Sequence, residues 1–168
     1  IVPPDEYMEK IALFRRRWPG NRLNDVVEPH ITVKAQGGLT EDLKWLEKVI
    51  ETCEGFPGFR LTLSEPATFG TAVVFLSVKS QEIYDLHKRL IEAVSPPPDL
   101  IERYYEGELY YPHLTLGEIR WGITETDIAE MKIAAKEALA PFPAFDVRHV
   151  RIYKETESGK YEPYRDIR

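Results

Sequence analysis

The sequence has little of what several classes of protein require. It contains a single cysteine, Cys53, so it forms no internal disulfide, which is typical of the reducing cytoplasm. No apolar run approaches the roughly 20 residues that cross a bilayer, and no secretory signal is visible at the start, so we expect no membrane partner. Positive charge is also scarce, because 22 Lys and Arg face 28 Asp and Glu, a net charge of −6. This balance excludes a protein that coats long duplex nucleic acid, but not one that binds a single terminal phosphate.

What is present indicates one globular domain over residues 1–168, which we expect to be a monomer. The chain is 43% apolar and 30% charged and has no low-complexity tract or linker. Apolar periodicity and turn residues predict helices over about 5–18, 40–53, 83–94 and 124–139. They predict strands over 30–35, 59–64, 72–78, 113–117, 145–154 and 161–167, with a turn around Pro66 and Gly70 and a final hairpin around Ser158-Gly159.

The order of these elements repeats. Each half runs helix, Pro-His-apolar-Thr-apolar strand, glycine, threonine-capped helix, strand, strand, with the motifs at 30–33 and 113–116. The predicted helix caps are Thr40 in the first half and Thr124 in the second. The repeat predicts an α+β fold of two pseudo-symmetric lobes about a twofold axis, with a cleft between them where a ligand site is favoured.

Each motif carries polar and apolar residues on opposite faces of its strand. Residues i and i+2 share a face, so His30 points with Thr32, and His113 points with Thr115. The alternate apolar residues are free to pack against a helix. A lone histidine on a strand is usually structural, but two imidazoles repeated with two hydroxyls favour a functional site in the cleft.

These two tetrads resemble the paired His-x-Thr-x signature of the two-histidine (2H) phosphoesterase superfamily. The sequence is most similar to its 2′-5′ RNA ligase-like branch with the cyclic phosphodiesterases, and the similar order of elements extends to the closing Ile152-Tyr153-Lys154 strand. The resemblance implies two antiparallel sheets with helices outside and the histidines in a central cleft. It also implies cofactor-free, metal-independent chemistry on 2′,3′-cyclic phosphates or 2′-5′ phosphodiesters at RNA ends or on nucleotides.

The residue types suit that chemistry. Opening a cyclic phosphate needs a base that takes a proton from water and an acid that protonates the leaving ribose oxygen. Histidine, with an ordinary pKa near ~6.5, serves in either role at neutral pH, and threonine hydroxyls donate to non-bridging oxygens. The resemblance makes His30 the acid toward the 3′-oxygen and His113 the base, which would yield a 2′-phosphate; in the ligating direction the roles exchange. A zinc site is disfavoured, because two histidines without a cysteine cluster are too few ligands.

Three further residues are candidates for binding substrate. Lys34 shares strand parity with His30 and either faces the phosphate or ends the strand in solvent. Tyr111 shares parity with His113 and is placed to stack on a base. Arg120 follows the second motif with the opposite parity, which favours a surface charge, and the acidic Glu118 weakens the case for a basic wall there.

The remaining chemistry-bearing residues are assigned structural positions. We expect His87 to face solvent, Cys53 to be buried and unreactive, and Arg15, Arg16 and Arg17 to interact with the helix dipole. The tyrosines of the loop before the second motif favour a packed cover, Phe69 favours the core, and a ligand contact of His149 is disfavoured.

Two alternatives to this enzyme remain open. A binding module of the same fold would hold an RNA end or nucleotide without turnover. A phosphoesterase for a small non-RNA cyclic phosphate or an ADP-ribose derivative would suit the acidic surface.

Overall fold

The computed structural model describes residues 1–157 and 159–168. Its helices and strands follow one another in the order α1 (Asp5–Arg15), α2 (Leu23–Val26), α3 (Leu46–Glu54), β1 (Phe59–Phe69), β2 (Val73–Lys79), α4 (Glu82–Val94), α5 (Pro98–Arg103), β3 (His113–Glu118), α6 (Glu125–Ala138), β4 (Ala144–Val147), β5 (Val150–Glu157) and β6 (Lys160–Ile167). Short 3₁₀ turns at 107–109 and 119–121 flank β3. None of the helices in the described part of the chain has the length and apolarity that crossing a membrane would require.

Two antiparallel sheets organise the chain, which confirms the predicted α+β class. The larger sheet has the order β3-β2-β1-β4, and the smaller sheet is the β5-β6 hairpin. The β1-β2 hairpin comes from the first half of the chain but pairs with β3, which carries the second His-x-Thr motif. The second half supplies the β5-β6 hairpin, and its Tyr153 packs against His30 of the first motif. Each motif is therefore supported by strands from the other half.

The helices cover the sheets with the apolar faces that their spacing predicts. In α4, Ile83, Leu86 and Leu90 are buried, and in α6 the buried residues include Ile128 and Met131. Helix α6 packs on β1, β2 and β3, which places one continuous core between this helix and the larger sheet. Thr124 begins α6 with a reciprocal capping box, in which its hydroxyl accepts from the Asp127 N–H and the Asp127 carboxylate accepts from the Thr124 N–H.

Two predicted strand boundaries are wrong. Strand β1 does not turn at Pro66 but continues to Phe69, because a bulge between Leu63 and Pro66 accommodates a residue that has no N–H to donate. The turn follows at Gly70, whose φ of +53° lies in the left-handed region. The predicted strand 145–154 is two strands, because the chain leaves the larger sheet after β4 and enters the smaller one at β5. Ser158 of the predicted hairpin turn lies outside the described residues.

The first copy of the repeat is less regular than predicted. The segment 30–35 forms no strand and makes only an isolated antiparallel bridge between Ile31 and Leu114. Thr40 caps no helix, because α3 begins only at Leu46, and the Thr40 hydroxyl donates instead to Asp42. Leu43, which lies within the predicted helix 40–53, has a positive φ of 55° and is exposed.

Candidate active site

The bridge between Ile31 and Leu114 brings the two motifs together. Because the pairing is antiparallel, its register sets His30 opposite Thr115 and Thr32 opposite His113. Directly opposed residues point to the same face, with Cβ atoms about 4.5–5.5 Å apart, whereas diagonal neighbours are about 7–8 Å apart. The histidines occupy one diagonal of this four-residue group and the threonines occupy the other.

The side-chain contacts agree with this placement. The Thr32 hydroxyl lies 3.2 Å from His30 Nε2, so the two side chains share a face. On the other motif, Phe75 lies opposite Thr115 on β2, and its ring centroid is 5.1 Å from that of His113. Thr32 is exposed and the other three residues of the group are partly exposed, so the face is open to a ligand.

Both imidazoles are held in the same tautomer. His30 Nδ1 lies 2.9 Å from the Glu28 carbonyl, and His113 Nδ1 lies 2.7 Å from the Tyr111 carbonyl. A carbonyl only accepts, so each Nδ1 carries a proton and donates it, which leaves Nε2 of each neutral ring as an acceptor. The Thr32 hydroxyl therefore donates to His30 Nε2. The two rings reproduce each other's anchoring, each donating to the carbonyl two residues before it.

The surroundings keep both histidines neutral in the free protein. Burial lowers the pKa of His30 to about 4, against the hydrogen bond to the Glu28 carbonyl, which raises it, and the Arg15 charge adds to the lowering. Burial likewise lowers the pKa of His113, again opposed by its backbone hydrogen bond. Each Nε2 is thus ready to accept a proton, and a histidine that donates one must first gain it when an anion arrives.

The two histidines have different neighbours. His113 lies in an aromatic cluster, with Phe69 edge-on at 5.0 Å between ring centroids and Tyr111 5.7 Å from Phe69. Phe69 is 40% and Tyr111 49% exposed, so this cluster presents apolar faces to solvent beside the site. Phe69 was expected in the core; it is instead part of this exposed cluster, because β1 extends to the end of the hairpin.

His30 faces a polar network. Its ring lies 5.3 Å from that of Tyr153, whose hydroxyl donates to the Glu28 carboxylate. Arg151 donates to the same carboxylate oxygen at 2.8 Å and binds Asp166 through two nitrogens. The network ties the segment before the first motif to the β5-β6 hairpin.

Arg15 is a functional candidate that sequence reasoning missed. Its side chain is buried under the second motif, where Nη2 donates to the Thr115 carbonyl at 2.6 Å and Nη1 donates to Asn24. Burial lowers its pKa to about 9, so it stays charged at neutral pH, and among the described residues no carboxylate pairs with it. The available signal was its position one turn after Ile11 on the buried face of α1, which separates it from Arg16 and Arg17.

The three predicted substrate-binding residues lie in different surroundings. Lys34 has a side chain only 7% exposed, and its ammonium group donates to the carbonyls of Ala35 and Gly37 and to Glu106 at 2.8 Å. Neither expected position of Lys34, on the phosphate or in solvent, matches these contacts, since all three of its donors are used. Arg120 is exposed and paired with Glu118 at 2.9 Å, whereas Tyr111 belongs to the aromatic cluster beside His113.

The expectation that His87 faces solvent is wrong. His87 is 3% exposed, its Nδ1 donates to the Val33 carbonyl at 2.6 Å, and its Nε2 accepts from the Gly107 N–H. Its ring stacks on Tyr110 with centroids 3.8 Å apart and planes 10° apart. The charged residues around His87 in the sequence suggested an exposed position, but the imidazole satisfies backbone groups that only the fold brings to it.

No part of the described chain gathers three or more residues of the kinds that hold a metal ion. A cavity of about 690 Å³ is lined by residues of β1 and α4 and by those just before β1, and contains neither motif. His149 and the buried Cys53 line a smaller cavity, also away from the four-residue group, and burial raises the pKa of the Cys53 thiol to about 11. Neither cavity is lined by a residue of the two motifs.

Comparison with known proteins agrees with the signature. Residues 3–159 match the family profile of the 2′-5′ RNA ligase superfamily. The chain belongs to this superfamily. No curated protein sequence shows significant similarity to it.

Two solved structures are similar in fold to this chain. The crystal structure of E. coli LigT complexed with NADP⁺ superposes with a TM-score of 0.60 and 20% sequence identity, over 99% of this chain and 92% of LigT. The crystal structure of a phosphoesterase superposes with a TM-score of 0.58 and 18% identity, over 99% and 93% of the two chains. These likenesses establish the architecture of a LigT-like fold.

Proposed function

We propose that this protein is a metal-independent phosphodiesterase that opens 2′,3′-cyclic phosphates at RNA or nucleotide ends to 2′-phosphates. The observation that carries the proposal is the register of the Ile31–Leu114 bridge, which sets both histidines and both threonines on one face. Membership of the 2′-5′ RNA ligase superfamily supports the substrate class, and extends the proposal to reversal of the same step as 2′-5′ ligation.

The proposed step uses the diagonal arrangement of the histidines. A cyclic phosphate between them has one imidazole on each side of phosphorus, as in-line displacement requires. Following the family resemblance, His113 takes a proton from the attacking water while the new P–O bond forms. The bond from phosphorus to the 3′-oxygen breaks, and His30 gives its proton to that oxygen.

Protonation of the acid follows from the charge of the substrate. Both histidines are neutral in the free protein because burial lowers the pKa of each. A bound phosphodiester anion favours an imidazolium beside it, so its arrival raises the pKa of the imidazole that it contacts. The two threonine hydroxyls lie on the other diagonal. Once His30 Nε2 is protonated it no longer accepts from Thr32, so both hydroxyls are free to donate to the non-bridging oxygens. The buried charge of Arg15, unpaired with any carboxylate of the described chain, adds a positive potential beneath the same group.

The aromatic cluster beside His113 supports a nucleotide as the ligand. Tyr111 and Phe69 offer exposed ring faces within reach of a group bound at His113. Base stacking on aromatic rings is sequence-tolerant, because every base has a π-face. The net charge of −6 opposes a long phosphate backbone but costs little for one terminal phosphate.

The test is hydrolysis of 2′,3′-cyclic mononucleotides and of an RNA with a cyclic phosphate end, both in EDTA. NMR of the product determines whether the phosphate remains on the 2′- or the 3′-oxygen. We expect turnover that survives chelation and gives the 2′-phosphate. His30→Ala and His113→Ala should each reduce kcat at least a hundredfold. His149→Ala is the matched control, since it removes a partly buried histidine away from the four-residue group and should leave kcat unchanged.

Three outcomes contradict the proposal. Binding of nucleotides without turnover favours the non-catalytic module, and turnover abolished by EDTA requires a metal. NADP⁺ belongs in the panel as a competitor, because LigT was crystallised with it. Hydrolysis confined to small cyclic phosphates without a base points instead to a non-RNA substrate.

A further inference from the structure

The two motifs are held in place by different means. His113 and Thr115 belong to β3, whose backbone is paired with β2 in the larger sheet. The first motif has no such ladder among the described strands, because its one bridge is at Ile31. Backbone groups that leave a ladder must find other partners when they are buried. From residue 32 onward, those partners are side chains.

Three side chains bind this segment, and we call them the clamp: His87, Glu106 and Tyr110. The Tyr110 hydroxyl donates to the Thr32 carbonyl at 2.8 Å. The next carbonyl, that of Val33, accepts from His87 Nδ1, and the N–H of Ala35 donates to Glu106 Oε1 at 2.7 Å. The clamp thus contacts the backbone on both sides of residue 34 and begins at the catalytic threonine itself.

Two residues of the clamp, His87 and Tyr110, also contact each other. The His87 ring stacks on Tyr110 and accepts the Gly107 N–H at 2.9 Å, so both of its nitrogens are used in the neutral form. Protonation of Nε2 would place its N–H against the Gly107 N–H, which is also a donor. Burial lowers the pKa of His87 and so also favours the neutral ring. The charged groups nearest to it are Lys34 and Glu106, which compensate each other at 2.8 Å.

We propose that His87 and Tyr110 are positioning residues of the active site, which set the Thr32 hydroxyl and, through it, His30 against the phosphate. This rests on the proposed function for its kinetic consequence only. The contact that links the clamp to the chemistry is the hydrogen bond from Thr32 to His30 Nε2. Displacement of a catalytic group lowers the rate of reaction even when the protein stays folded, because the reacting atoms lose their alignment.

The decisive variant is Tyr110→Phe, which removes one hydroxyl and keeps the stacked ring. Its matched control is Tyr7→Phe, which removes a phenol hydroxyl that donates to the carbonyl of Leu139 at the end of α6, also at 2.8 Å. We expect Tyr110→Phe to lower kcat about tenfold with KM within about twofold, and Tyr7→Phe to leave both constants unchanged while it lowers the melting temperature. His87→Gln should keep kcat within about threefold of wild type, since an amide donates and accepts as the imidazole does. His87→Leu should lose most of kcat, because leucine can do neither.

A second measurement separates this proposal from the proposed function. The ring resonances of His30 and His113 are followed by NMR against pH in the free protein, which needs no turnover. With Tyr110→Phe, the His30 resonances and titration should move while those of His113 stay. Unchanged His30 resonances and unchanged kcat overturn the positioning role, as does an equal loss of kcat in Tyr7→Phe. If the wild-type protein hydrolyses no cyclic phosphate, the proposed function fails and the NMR comparison still decides the clamp.

Discussion

Replacing Lys34 by Met separates a structural role of this lysine from a phosphate-binding one. The ammonium group is buried and donates to Glu106, whose side chain is 2% exposed. Methionine retains most of the apolar stem but leaves the Glu106 carboxylate buried, with the Ala35 N–H as its remaining donor in the described structure. The substitution therefore removes the partner of a buried charge rather than a surface charge.

The expected loss of stability is large. Breaking a buried ion pair from one side costs about 3–5 kcal/mol, because the remaining charge is uncompensated. For a chain of this length, 1 kcal/mol corresponds to about 2–4 °C in Tm, so Lys34→Met should lower Tm by roughly 6–20 °C. Adding Glu106→Gln should restore most of the loss, since a neutral amide still accepts the Ala35 N–H.

Thermal unfolding followed by circular dichroism measures this change in Tm. The control is Lys44→Met, which breaks the exposed pair with Asp42 and should leave the unfolding midpoint unchanged. A Lys34→Met protein that is as stable as wild type but has a raised KM would refute the reasoning. That result would mean that the lysine acts on the phosphate, and that Glu106 finds another partner.

Three other predictions concern the cap, the pH dependence and the rim of the site. Thr124→Ala removes the capping box of α6 and should cost about 1 kcal/mol of unfolding free energy, or about 2–4 °C in Tm, measured by calorimetry; an unchanged Tm would show that the cap contributes nothing. His30, His87 and His113 all have folded pKa values lowered by burial, so the unfolded chain binds more protons below the ordinary histidine pKa of about 6.5. The unfolding free energy should therefore fall as pH drops from about 6.5 toward 4, and His87→Gln should reduce that slope; a stability independent of pH over this range would contradict the direction of the shifts. Arg120→Ala should leave kcat/KM for a cyclic mononucleotide within about twofold of wild type, because this exposed arginine is paired with Glu118, and a tenfold loss would restore it as a ligand.

Much of the secondary structure followed from local patterns. The spacing of Ile83, Leu86 and Leu90 predicted α4, and that of Ile128 and Met131 predicted α6, because a helix that buries one face must repeat apolar residues every three to four positions. The errors fell where local patterns are ambiguous. A proline in a strand suggests a turn, but Pro66 sits at a bulge, and whether a bulge forms depends on the neighbouring strand.

The candidate site was partly predictable for a similar reason. Strand parity alone paired each histidine with its threonine, and the duplicated motif indicated that the two pairs act together. Parity beyond Thr32 did not predict Lys34 correctly, because the segment 30–35 forms no strand and Lys34 instead donates to Glu106 of the clamp. The run of three arginines assigns Arg15 to the helix dipole, and the charged neighbours of His87 favour solvent exposure. Both side chains are buried, because burial depends on which elements pack against them.

The sequence by itself determined the residue types of the chemistry, the alternation that puts each His-x-Thr pair on one face, and membership of a two-histidine family. Only the tertiary structure decided how the pairs meet. The single bridge at Ile31 sets the register that makes the histidines diagonal, and the β1-β2 hairpin of one half supports the motif of the other. Local sequence carries no record of either pairing, because a strand's own pattern specifies which face is apolar but not which distant strand lies beside it.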